Sequence, residues 1–302
     1  MSGLPNGGGF RLARWRSDPE GMDVPAIVLS QLRQAGVTCG PLAPLAGGTK
    51  RTVLTDGKHV VTRTMRTDDP TLAPMDHEVA WAVRAARTTR VQVPLVPHTL
   101  TSSGLTTSVW EYLPVDRPVG IGDMHELGCL LRGLHQQVSE VPVEPVDQLA
   151  TAEQRMLHIT EHRPETAEQL RPLLDQARTI LAKQPEELTV AVHGDAHDRN
   201  VLHVAAGLTL IDFDSAGWGP ASLDLASVVY ACRYRFQDTN AVTEFLDGYG
   251  PDARVDHGML WDLSWVRRVR ATCTRAHRGD DVDERLATLV REAPKGETAG
   301  LR

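Results

Sequence analysis

Apolar positions recur along this chain in two rhythms, and the change from one to the other divides it. From Pro25 the run AIVLSQLRQAG spaces its apolar residues at the helical period and stops at Gly36. Strand-like runs follow: PLAPLAGGTKRTVLT, a turn at Asp56-Gly57, then KHVVTRTMR. Asp-Gly between two β-prone runs predicts a hairpin. A helix fits MDHEVAWAVRAARTT, and short strands fit the stretches around VPLVPHTL and TTSVWEYL. Beyond Pro114, HELGCLLRGLHQQV, DQLATAEQRMLHITEH and TAEQLRPLLDQARTILAKQ read as successive amphipathic helices. One β-prone island, from Thr189 to Asp214, interrupts them, and the helical pattern resumes from Ala221. The pattern predicts an α+β chain with a mobile leader over 1–22, a β-rich unit over 23–113, a mainly helical unit over 114–290 and a frayed tail over 291–302.

Composition narrows the class. At 302 residues, 41% hydrophobic and 24% charged, the chain has an ordinary globular composition and about twice the usual domain length. A net charge of −7 excludes the globally basic profile of a nucleic-acid binder. No run approaches the roughly 18 apolar residues of a membrane span, and the first residues lack the apolar core of a signal peptide. The expected location is therefore the cytoplasm, with neither nucleic acid nor membrane as partner. Cys39, Cys129, Cys232 and Cys273 fall at no paired short spacing, which predicts reduced thiols.

The island carries the chemistry. Its runs VLHV (201–204) and LTLI (208–211) flank Ala205-Ala206-Gly207, which predicts a hairpin centred on residue 206 with Asn200 opposite Asp212. An amide oxygen beside a carboxylate at a strand end suits a hard divalent cation such as Mg²⁺. Asp195 precedes Asn200 by the five residues that separate base and metal ligand in the kinase catalytic loop.

HGDAHDRNVL, with LIDFD and GPASLDLA, resembles the aminoglycoside phosphotransferase family. The resemblance covers roughly residues 38 to 275, most strongly 189 to 228. It implies a bilobal protein-kinase-like fold, a small β-rich N-lobe and a larger helical C-lobe, and transfer of the γ-phosphate of ATP or GTP to a small-molecule hydroxyl. On it Asp195 is expected to be the catalytic base, with Asn200 and Asp212 as the magnesium ligands. His193 and Gly194 would shape the catalytic turn and Asp224 would brace it. Gly47 and Gly48 resemble the family's nucleotide-covering turn. Arg63 stands where relatives carry a phosphate-gripping Lys, Glu78 resembles its ion-pair partner, and Lys50 or Lys58 could take part of that role. WEYL, with Glu111 and Tyr112, fits the hinge whose backbone would meet the nucleotide base.

Competing readings stay open. Arg63 and Glu78 also fit a surface pair, Asp224 a helix cap, and Asp214 either a further metal-site carboxylate or a solvated one. His197, Asp198 and Arg199 read as loop surface. His193-x-Asp195-x-His197 admits a two-metal phosphohydrolase, although the further His and carboxylate clusters of that class are absent. Walker A and GxGxxG motifs are absent too. A Ser/Thr-containing peptide could replace the small-molecule acceptor, and a nucleotide-binding pseudokinase would do no transfer at all. Asp238, Glu244, Asp247, Asp252, Asp256 and Asp262 would attract a polyamine-like acceptor if they faced the site. Arg267, Arg268, Arg270, Arg275 and Arg278 oppose that, and their alternation reads as a solvated helix face.

Overall fold

A computed structural model describes residues 22–45, 51–68, 75–139, 147–184, 188–250 and 256–294. It divides into two compact units, Met1–Val83 with Gln92–Pro114, and Arg84–Val91 with Val115–Arg302. Gly47, Gly48 and Lys50, and nearly all of the expected leader and tail, lie outside the described residues.

The first unit opens with helix α1 (Val24–Gln34). Asp23 accepts the Ala26 N–H at 3.1 Å, Pro25 suits the first turn, and the chain leaves through Gly36, so local chemistry sets both ends. Val24, Val28 and Leu32 lie on one face and bury against Leu54, Val60, Leu105 and Val109. Those residues belong to an antiparallel sheet of β1 (Ala43–Pro44), β2 (Thr52–Thr55), β3 (Val60–Arg66), β4 (Leu100–Ser102) and β5 (Leu105–Glu111), in the order β1-β2-β3-β5-β4.

The Asp56-Gly57 hairpin forms with a longer loop than a two-residue turn, because Thr55 pairs with Val61. Asp56 Oδ1 accepts the N–H groups of Lys58, His59 and Val60, which keeps Lys58 and His59 out of the strand. VPLVPHTL forms no strand before Leu100 beyond a bridge from Pro94 to Trp110. Pro94 and Pro97 remove donors a strand would need. Helix α2 (Met75–Ala85) ends before the expected Thr89, where Thr88 and Thr89 turn their N–H groups back to the Ala85 carbonyl.

The second unit carries α3 (Met124–His135), α4 (Ala150–His162) and α5 (Pro164–Ala182). The island that follows forms β6 (Thr189–Val192), β7 (Val201–Val204), β8 (Gly207–Leu210) and β9 (Gly217–Pro220). Next come α6 (Ser222–Ala231), a wider π turn over Cys232–Phe236, α7 (Asn240–Tyr249), α8 (His257–His277) and α9 (Asp283–Arg291). Ile159, Leu170, Leu174, Trp265, Val269, Cys273 and Leu289 form the core of these helices. β9, unpredicted because Gly-Trp-Gly-Pro lacks strand formers, pairs along its whole length with β6.

The β7–β8 register corrects the sequence reading. Val204 pairs with Gly207 and Val201 with Leu210, so the hairpin is centred half a residue earlier and Asn200 lies opposite Ile211, not Asp212. Ala205 and Ala206 keep ordinary negative φ, and Gly207, at φ 102°, supplies the positive one that closes the turn. A side chain at 207 would also collide with Arg90 and Glu126. Those two pair with each other at 3.0 Å and bind the Leu208 carbonyl and N–H at 2.9 Å.

Gly207→Ala is expected to lower stability by about 1–3 kcal/mol, the cost of a non-glycine residue in a disfavoured conformation. Gly36→Ala, at φ 73° with open space around it, should cost nearer 1 kcal/mol. Denaturant midpoints at unchanged slope measure both. Equal losses would mean that the Arg90–Glu126 pair does not crowd residue 207.

Candidate active site

β6 delivers the chain into a loop, residues 193–200, and β7 takes it away again. Gly194 sits at φ 77°, and a Cβ there would overlap the Ser215 carbonyl, so conformation and space both require glycine. The loop is gripped from α6. Asp224 Oδ2 accepts the His193 N–H at 2.6 Å and Oδ1 the Gly194 N–H at 2.8 Å, and Oδ2 also meets His135 Nε2 at 3.1 Å. Asp224 has no solvent exposure, and α6 has already started at Ser222. It is therefore a brace and not a helix cap. His193 turns its ring inward, where Nε2–H donates to the Ile211 carbonyl at 2.9 Å and the ring packs on Phe213. That bond links the loop to the segment leading into Asp212.

Asp195 follows the brace. Arg267 of α8 forms an ion pair with its Oδ1, and His197 Nε2 lies 3.6 Å from its Oδ2. Burial works against the charge of Asp195, but Arg267, with His197 and Arg270 behind it, outweighs that penalty and holds the carboxyl below the usual carboxylate range. Burial lowers the pKa of His197 despite the neighbouring Asp195. Its Nδ1 accepts the Arg199 N–H at 3.1 Å, and Asp198 pairs with Arg235, so the expected surface loop is in fact tied down.

Asn200 and Asp212 close the loop. Asn200 Nδ2 donates to the Asp195 carbonyl at 3.0 Å, which leaves Oδ1 as the amide atom suited to a cation. Ile211 N–H donates to the Asn200 carbonyl at 3.0 Å, and Asp212 follows at φ 68°, a left-handed conformation uncommon outside glycine. An amide oxygen and a carboxylate so placed fit Mg²⁺, which binds few protein oxygens and retains water and phosphate. Among the described residues no group of three or more His, Cys, Asp or Glu is placed to hold a metal by itself.

The first unit holds a buried charge cluster of its own. Arg63 of β3 and Arg51, just before β2, both pair with Glu78 of α2, and the guanidinium of Arg63 lies 5.0 Å from the Trp110 ring centre. With Glu78 wholly enclosed, this is no surface pair. Arg51 was missed by sequence reasoning, which looked to its neighbour Lys50. Lys58 is exposed at the hairpin tip. At the end of β5 the Glu111 N–H binds the Val93 carbonyl, the Tyr112 N–H binds the His59 carbonyl, and the Glu111 carbonyl accepts Gln92 Nε2 at 2.8 Å. Both N–H groups are thus engaged, and the Glu111 carbonyl keeps a second lone pair.

The helix face expected to be solvated is so only at Arg275 and Arg278, which are exposed. Arg267 holds Asp195, and Arg268 is buried, with its guanidinium 4.0 Å from the Tyr234 ring centre and 3.3 Å from Glu292. Asp238 and Asp256 accept N–H groups at the starts of α7 and α8, the usual work of cap residues.

The five-stranded unit, the mainly helical unit and the braced HGD loop define a protein-kinase-like fold of the small-molecule kinase type. The chain belongs to the phosphotransferase enzyme family (APH), whose model matches residues 41–288. It is 29% identical over 157 residues to a thiamine kinase of Escherichia coli, covering 51% of this chain and 52% of that one. The chain thus matches about half the length of that relative. In fold it is similar to a choline/ethanolamine kinase family protein from Mesorhizobium loti (TM-score 0.64, 19% identity, 90% of this chain and 95% of that one). It is also similar to a spectinomycin phosphotransferase in complex with ADP and spectinomycin (TM-score 0.61, 14% identity, 88% and 92%).

Replacing Arg267 tests the electrostatics. With the folded pKa of Asp195 depressed, its carboxylate stays ionised as pH falls, until below the usual value of about 4. Arg267→Gln removes the opposing charge and leaves burial, so the acid limb of kcat/KM against pH should move upward. An unmoved limb would mean that Arg267 does not set the ionisation of Asp195. Asp224→Asn should lower kcat by about tenfold or more while the protein stays folded by circular dichroism, because hydrogen bonds to a charged acceptor are each worth about 1.5–3 kcal/mol.

Proposed function

We propose that this chain is a Mg²⁺-dependent O-phosphotransferase that moves the γ-phosphate of ATP to a hydroxyl of a small molecule. One observation carries the reading: Asp195, Asn200 and Asp212 are drawn together by a single braced loop and the hairpin after it. Family membership and the ADP held by the spectinomycin phosphotransferase support it.

Bound Mg²⁺ would neutralise phosphate charge and align the transferring group, with Asn200 Oδ1 and Asp212 as its protein ligands. Asp195 would orient the acceptor hydroxyl. The hydroxyl oxygen bonds to the γ-phosphorus, the bond from that phosphorus to the β,γ-bridging oxygen breaks, and ADP leaves with the electron pair. The hydroxyl proton passes to Asp195 and on to water. A carboxylate held below its usual range is a weak base, so its main work is orientation until the forming bond acidifies the hydroxyl. A loose transition state suits that order, since it asks for positioning and charge neutralisation. Arg63 and Arg51, fixed by Glu78, would bind the nucleotide's phosphates.

Asp212→Asn removes charge and keeps a residue that tolerates the left-handed backbone. It should reduce transfer about 10²-fold or more, with a higher Mg²⁺ requirement. Asp195→Asn should lower kcat about 10²- to 10⁴-fold while ATP affinity changes little. Arg63→Ala should weaken ATP binding, and Arg63→Lys should partly restore it. Labelled γ-phosphate transfer and ATP titration measure all three. Turnover in Asp212→Asn at an unchanged Mg²⁺ requirement would overturn the assignment.

A further inference from the structure

Arg267, Arg270 and Thr274 succeed one another on α8 at spacings of three and four residues, so their side chains share one face. Arg267 pairs with Asp195. Arg270, one turn on, is half-buried, and among the described residues nothing hydrogen-bonds or ion-pairs with its guanidinium. From α4, Arg155 reaches the same face and donates to Thr274 Oγ1 at 2.5 Å. The three guanidiniums act on one another and on Asp195. Burial, and then the charge of Arg267, brings the pKa of Arg270 down to about 10, with Asp195 and Asp147 working against the repulsion. Three cations therefore crowd one reacting carboxylate. A cationic acceptor would add a further like charge beside them, whereas an oxyanion would give Arg270 the partner it lacks and Arg155, which holds only the Thr274 hydroxyl, a counter-charge, with three guanidiniums to offset its repulsion from Asp195.

We infer that the acceptor carries an oxyanion, a carboxylate or a phosphoryl group, held by Arg270 and Arg155 beside the hydroxyl that Asp195 addresses. The inference rests on the phosphotransfer reading above and names its substrate class. An anionic acceptor also competes with Asp195 for Arg267, so its arrival loosens the ion pair that restrains the base. Asp238 and Asp256, two of the acids that would draw a polyamine, are occupied as caps.

Two measurements test this separately from the phosphotransfer itself. The first is binding of sulfate and of spermidine to the full chain at constant ionic strength, read as thermal shift in wild type, Arg270→Gln and Arg270→Lys. Sulfate should stabilise wild type and Arg270→Lys more than Arg270→Gln, and spermidine should show no such difference. Equal sulfate shifts in wild type and Arg270→Gln, or stabilisation by spermidine alone, would overturn the anion site. The second is labelled phosphate transfer from ATP to gluconate, glucose 6-phosphate, glucitol and glucamine. The two anions should lead, gluconate marking a carboxylate site and glucose 6-phosphate a phosphoryl site. Arg270→Gln should raise their KM about ten- to hundredfold with kcat little changed, and Arg270→Lys should recover part of it. Preference for glucamine would overturn the inference and leave phosphotransfer standing. Failure to bind ATP would overturn phosphotransfer, and the sulfate comparison would still decide the anion site.

Discussion

A carboxylate with no access to water must find its counterparts inside the protein, and Asp224 finds three. Two are consecutive backbone N–H groups, at His193 and Gly194, and the third is His135. An uncompensated buried charge costs several kcal/mol, so these donors fix one another as much as they satisfy Asp224. Through His135, whose Nδ1 bonds the Tyr249 hydroxyl at 2.8 Å, the same carboxylate ties α6 to α3 and α7. The loop that presents Asp195 is thus anchored at its base by helices that take no part in the chemistry.

The sequence made much of this legible because local rules governed it. The end of α1 at Gly36, the helical runs after Pro114 and the spacing of Asp195 from Asn200 were read from residue type and spacing, and the Arg63–Glu78 pair was anticipated from the family resemblance. Local signals misled where partners far along the chain decided the outcome. The β7–β8 register turns on Gly207, whose positive φ closes the turn and whose missing side chain leaves room for Arg90 and Glu126 from elsewhere in the chain. Alternating charge on α8 looked like a solvated face because the sequence does not show that Asp195, Tyr234 and Glu292 pack against it. β9 was invisible because Gly-Trp-Gly-Pro forms a strand only when β6 offers its edge.

The pairing of Asp195 with Arg267 bears on side reactions as well as on transfer. Water is always present and is a competing acceptor for a reactive phosphoryl group. A carboxylate already engaged with a guanidinium draws weakly on a water proton, so bound nucleotide would be spared until a molecule able to loosen that pair arrives. On the proposed reading, acceptor recognition and protection of the donor are the same event.

β6 and β9 zip together on either side of residues 193–216, so the base, both proposed metal ligands and the hairpin between them lie within one closed circuit of chain. Closing such a circuit has an entropic cost that is recovered only when the whole circuit is in place. Such a circuit is expected to open as one cooperative unit, which would take Asp195, Asn200 and Asp212 out of place together. On the proposed reading, catalytic competence would then be lost as a whole in one local opening, with the metal site and the base going together.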